Sequence, residues 1–192
     1  MTMMRRFVAA LAIVAGLAAG AAFAATLQAT ISTRIVATYR GTNDLGSPLF
    51  ELSGTLHPSI SLSSGTGSNQ ANLMFADTRT LSASGTENLD LAGSLADPLG
   101  TTLTFATVKA IRVCAAAANT NNVVVGGAGS NTFTGPFADA TDKIAVRPGG
   151  CFLWVAPGTG ATVTASTGDI LLVANSGGST SVTYDIIIIG TS

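Results

Sequence analysis

"SVTYDIIIIG", residues 181–190, decides the fold class. Four successive isoleucines, Ile186 to Ile189, place β-branched side chains on both faces of one strand, because side chains alternate along an extended backbone. A strand on the outside of a sheet keeps one polar face. This one has none over that run, so it is expected at the centre of its sheet or under a subunit contact.

Working back from it, Ala161 to Ala165 and Asp169 to Ala174 form two more strands, separated by the turn signals "STGD" and "NSGGS". Cys151 to Val155 is a short, wholly apolar strand. It follows "RPGG", where Pro148 sets φ and Gly149 or Gly150 supplies a positive φ. Lys143 to Val146 precedes that turn. Asn119 to Val125 and Asn131 to Phe133 are short strands around "GGAGS". A long strand from Thr101 to Cys114 follows the turn "DPLG". Asn72 to Leu81 fits either a strand or a short helix, and "SSGTGSNQ" is a loop of small polar residues. Phe50 to Leu56 alternates weakly and ends at Pro58. From Leu27 to Tyr39 apolar and polar residues alternate strictly, which predicts one long half-buried strand.

About nine or ten strands at a spacing near ten residues predict an all-β fold. The expected form is a single β-sandwich of the jelly-roll kind over residues 25–192. A signal-peptide-like helix over residues 1–24 is expected to precede it.

That leader has Arg5 and Arg6 as a positive end, an uncharged apolar run from Phe7 to Ala21, and Ala22-Phe23-Ala24 before a cleavage point at Ala25. Phe7 to Ala25 is also long enough to be weighed as a spanning helix. Its Ala and Gly content and the lack of a following basic cluster favour cleavage, leaving no stable span. A third reading is a start site placed too early in GC-rich DNA.

Charged residues make up 10% of the chain, well below the roughly 25% of ordinary globular proteins. Ser, Thr, Asn and Gly must therefore supply most of the surface polarity. The few Arg and Lys residues are scattered, which argues against nucleic acid as a partner. A weakly charged surface rich in β-formers suits packing against copies of itself, or life outside the cell.

The chemistry-bearing residues are sparse. "GTGSNQ" and "GGAGS" lack the following helix that a phosphate loop needs, and read as turns. His57 beside Pro58 has no serine in a G-x-S-x-G elbow to serve. Asp139 and Asp142 in "DATDK" fall short of a calcium loop. Two cysteines with one histidine do not make a zinc site. No catalytic residue, cofactor or metal is assigned. Cys114 and Cys151 have two readings. In an oxidising compartment they form a disulfide closing a loop of about 37 residues; otherwise they are two buried free thiols. Phe152 and Trp154 share a strand face, as core if buried or as a sugar-stacking platform if exposed.

Two stretches carry a resemblance. They are "GTGSNQANLMFADTRTLSASGTENLDLAG" and the run from "TFATVKAIRVC" to the closing isoleucines. Within them stand R-T-L at Arg79, L-D-L-A-G at Leu89, V-K-A-I at Val108, P-G-G at Pro148 and Y-D-I-I-I-I-G at Tyr184. From about Ala25 onward the chain resembles a family of small β-rich proteins encoded among the virion structural genes of tailed bacteriophages and prophages. The resemblance implies a non-enzymatic structural protein of the virion, decorating the capsid or joined to the tail, with other virion proteins and copies of itself as partners. It names no active site. The leader departs from it, since virion proteins assemble in the host cytoplasm. The alternative is an exported bacterial β-sandwich, secreted or periplasmic, that acts as an adhesive or carbohydrate-binding module with a surface glycan as partner. The exported protein is expected to carry an oxidised cysteine pair and to begin at Ala25. The virion protein is expected to carry free thiols and to occur in many copies per particle.

Overall fold

A computed structural model describes residues 26–42, 44–52 and 59–192. The expected leader helix and His57 lie outside the described residues. Within them the chain is all β, with no helix. In chain order the strands are β1 (Ala29–Ile31), β2 (Ala37–Arg40), β3 (Leu49–Leu52), β4 (Ile60–Ser64), β5 (Gln70–Ala71), β6 (Leu73–Leu81) and β7 (Thr86–Asp90). There follow β8 (Thr107–Ala115), β9 (Val123–Gly126), β10 (Lys143–Val146), β11 (Cys151–Val155), β12 (Ala161–Thr162), β13 (Ile170–Asn175) and β14 (Val182–Thr191).

Two antiparallel sheets form the body. One has the order β11-β8-β14-β6, with the short β12 also on β8; the other has the order β10-β9-β13-β7. Both feed one hydrophobic cluster. Phe75, Ile111, Val113, Tyr184, Ile186 and Ile188 come from the first sheet, and Leu89, Val123, Val125, Val146, Leu171 and Val173 from the second. Burying a side chain of this size contributes about 1.5–3 kcal/mol, so this shared cluster is what joins the two sheets.

Strand β14 lies between β8 and β6. Val182, Tyr184, Ile186 and Ile188 point into the main core. Ile187 and Ile189 point the other way, into a second, smaller core with Leu62, Ala71 and Ala110. A three-stranded sheet, β1-β4-β5, supplies much of that second core. Over the isoleucine run both faces of β14 are therefore apolar because both are covered by this chain.

The run ends at Gly190 for a steric reason. The β8–β14 register shifts between Ile189 and Gly190. A Cβ at Gly190 would lie 2.1 Å from the Thr107 carbonyl oxygen and 2.8 Å from the Phe105 ring. Lys109, passed over by the shift, is buried, and its Nζ donates to the Gly158 carbonyl.

The structure departs from the expected single sandwich of nine or ten strands. Among the described residues fourteen strands form four sheets, the fourth being the β2-β3 pair. The alternating run from Leu27 to Tyr39 is not one strand. Its first part pairs with β4 as β1, and its last part pairs with β3 as β2. Alternation sets which way side chains point, but a strand persists only where a neighbour takes up its backbone hydrogen bonds. Asn72 to Leu81 is resolved as strand β6. Asn131 to Phe133 shrinks to a single bridge at Thr132. Part of the expected loop "SSGTGSNQ" belongs to β4 and β5.

Candidate functional site

The face of the β11-β8-β14-β6 sheet that points away from the main core holds the most varied chemistry. Its outward residues include Ala110, Arg112 and Cys114 on β8, Cys151 and Leu153 on β11, and Asp185, Ile187 and Ile189 on β14. At one end the β1-β4-β5 sheet covers it. Beside that cover lies a cavity of about 250 Å³ bordered by Thr30, Ile31, Ser32, Ala110, Arg112, Leu153, Ile187 and Ile189. Towards the other end the face turns polar. Thr78 donates to Asp185 at 2.7 Å, and the Thr80 and Thr183 hydroxyls lie 3.0 Å apart.

Cys114 and Cys151 stand opposite each other in the β8–β11 register and are joined by a disulfide. Their Cα atoms are 4.1 Å apart. That is close to the spacing of a non-hydrogen-bonded antiparallel pair, the position where cross-strand side chains approach most closely. Cys151 is exposed, while Cys114 is buried at 9%. Arg112 places Nη2 3.9 Å from the Cys151 sulfur.

The other aromatic candidates have a different fate. Phe152 and Trp154 occupy the inward face of β11, half-buried and packed against the main core. Asp139 and Asp142 hold their own turn. Asp139 accepts from the Thr141 N–H and hydroxyl, both at 2.9 Å, and Asp142 accepts from the Asp139 N–H at 2.9 Å. Those bonds from Thr141 hold the Asp139 carboxyl below its ordinary value. Such Asx contacts are how acids shape turns. Among the described residues there is no cluster of His, Cys, Asp and Glu suited to a metal ion.

Between the sheets sits a polar network that the sequence pattern did not single out. Tyr184 is fully buried and donates its hydroxyl to Glu87. Arg79 pairs with the same carboxylate at 2.9 Å and with Asp77 at 3.2 Å, and its guanidinium lies 5.5 Å from the Phe75 ring centre. Burial raises the Tyr184 phenol well above its ordinary value, and the hydrogen bond to Glu87 and that carboxylate's charge raise it further. A network of this kind fixes the β6–β7–β14 arrangement. Arg79 sits in R-T-L and Glu87 two residues before L-D-L-A-G, but nothing in that spacing marks the two side chains as partners.

Sequence reasoning also missed an exposed surface. In the β2–β3 hairpin, Tyr39 is 76% and Phe50 64% exposed. Two alternating runs joined by "GTNDLGSP" carried the signal, since that is a hairpin pattern. No family model matches the chain, and neither a curated protein nor a solved structure matches it.

Proposed function

We propose that the chain is a non-enzymatic structural protein of a tailed-bacteriophage virion. It decorates the capsid or joins the tail, and it acts by packing and adhesion of a jelly-roll sandwich. Its partners are other virion proteins and copies of itself.

The path of the chain through the body carries this reading. Set aside the short β12 and take the eight remaining strands from β6 to β14. The first pairs with the last (β6–β14), the second with the last but one (β7–β13), the third with the third from last (β8–β11), and the middle two with each other (β9–β10). A long antiparallel hairpin rolled onto itself gives this nested pairing, and it is the layout of a jelly roll, a fold of viral capsid and lectin domains. The stretches that carry the family resemblance supply this framework. R-T-L ends β6, the first two residues of L-D-L-A-G end β7, V-K-A-I lies in β8, P-G-G forms the turn before β11, and Y-D-I-I-I-I-G lies in β14. Fold alone does not fix function, so the test is compositional. Mass spectrometry of purified particles from the native source should find the chain at many copies per particle, with its true first residue. Absence from purified particles would defeat the proposal.

The disulfide departs from the free thiols expected of the virion protein, and it favours a second reading, an exported adhesive or carbohydrate-binding β domain. Disulfides persist in oxidising surroundings such as the periplasm, and also on virion surfaces. This reading rests on the leader and the Cys114–Cys151 bond rather than on Trp154, whose ring packs on the core. A chain starting at Ala25 in a secreted fraction free of particles would favour export. A reduced, unprocessed chain confined to the cytosol would rule it out.

A further inference from the structure

The β2–β3 hairpin is amphipathic in a way the body does not use. Its register pairs Ala37 with Leu52, Thr38 with Glu51, Tyr39 with Phe50 and Arg40 with Leu49. Alternation therefore puts Ala37, Tyr39, Phe50 and Leu52 on one face and Thr38, Arg40, Leu49 and Glu51 on the other. The first face is wholly apolar and largely in water, and Ile35, two residues before the strand and of the same parity, is 59% exposed. Among the described residues the two strands pair only with each other. A lone two-stranded hairpin is marginal in water, and it becomes stable when a further layer or strand covers it.

We propose that this apolar face is a self-association surface, and that its occupant is the same face of a second copy of the chain. Three observations select that partner. The first is area. Tyr39 and Phe50 leave on the order of 300 Å² of aromatic side chain exposed. With Ile35, Ala37 and Leu52 the face reaches on the order of 500 Å², the size of patch that marks an interaction site. Face-to-face pairing of two copies then removes about 1,000 Å², the lower bound for a specific interface. The second is charge. The charged residues from Arg34 to Leu52 are Arg34, Arg40, Asp44 and Glu51, two of each sign. Copies do not repel one another there, and no excess charge recruits a basic or acidic partner. The third is self-complementarity. Two hairpins stacked by their apolar faces make a small two-layer sandwich, with Thr38, Arg40 and Glu51, and Leu49 among them, turned outward to water.

The proposal names the partner surface for the self-packing in the virion reading, but it can fail separately from it. The test is sedimentation equilibrium of the full chain over a wide concentration range. The pair of variants is Tyr39→Ser with Phe50→Ser, and Leu99→Ser as a control at an apolar residue 79% exposed elsewhere. Circular dichroism confirms that each variant is folded. Wild type and Leu99→Ser should associate alike, and the hairpin variant should associate at least about tenfold more weakly, as for loss of central aromatic anchors. A wild type that stays monomeric throughout, or a hairpin variant that associates as tightly as wild type, overturns the proposal. If the chain is found in particles while the hairpin variant still associates, this inference falls and the virion reading stands. If the chain self-associates through the hairpin but is absent from particles, the reverse holds.

Discussion

Strand β14 and the β2–β3 hairpin are built from similar residues and meet opposite fates. Both are rich in β-formers, and both have residues alternating between two sides. In β14 each side finds a cover from its own chain, with the main core under Ile186 and Ile188 and the smaller core under Ile187 and Ile189. In the hairpin the apolar side, Tyr39 and Phe50, stays in water. An apolar, alternating pattern therefore says that a strand wants a cover. Whether the cover comes from the same chain or from another molecule depends on what the topology brings alongside.

The contrast can be tested by substitution. Ile186→Ala, at a side chain buried in the main core, should cost about 4 kcal/mol in urea denaturation, since it removes buried methyl groups and leaves a cavity. A loss near zero would mean that the central strand is not packed as described. Removing the cross-link with Cys114→Ala and Cys151→Ala together should cost about 3 kcal/mol, because the bond closes a long loop of the unfolded chain. The same loss should follow reduction of the wild type and be absent from the double variant.

Alkaline titration probes the buried phenol. Its raised pKa means that the folded chain keeps the Tyr184 proton at a pH where the unfolded chain has lost it. The associated stability is complete below about pH 10 and falls as pH rises beyond it, by about 1.4 kcal/mol per pH unit. Tyr184→Phe should flatten that part of the profile, and an unchanged slope would contradict the burial. The smallest effect is expected in the hairpin. Tyr39→Ser should change the stability of the dilute chain by less than about 0.5 kcal/mol, as for exposed sites. A loss comparable to that of Ile186→Ala would show that the hairpin is packed against its own body.

The body was the legible part of the sequence. Lys143–Val146 and Cys151–Val155 match the observed strands end for end, because turn residues bound each closely and each is apolar throughout or nearly so. The doubly apolar run of β14 marked it for the centre of its sheet or for a subunit contact, and it lies between β8 and β6. Strand β7 was not legible, for a physical reason. Its inward residues are Leu89 and Glu87, and Glu87 faces inward because Tyr184 and Arg79 satisfy its carboxylate. An inward acid breaks the hydrophobic alternation by which strands are recognised. The cysteine pairing was illegible too. It depends on the β8–β11 register, which is set by tertiary pairing that spacing along the chain does not reveal. Nor could alternation show that the run from Leu27 to Tyr39 divides between two different sheets.

The most direct measurement is hydrogen–deuterium exchange on the full chain over a concentration series, comparing the amides of β14 with those of β2 and β3. Exchange from β14 should be slow and independent of concentration, since only unfolding of the body exposes it. Exchange from the hairpin should be fast in dilute solution and should slow as concentration rises and copies cover the apolar face. Hairpin amides as protected as those of β14 at every dilution would contradict the account, because the hairpin would then be covered by its own chain.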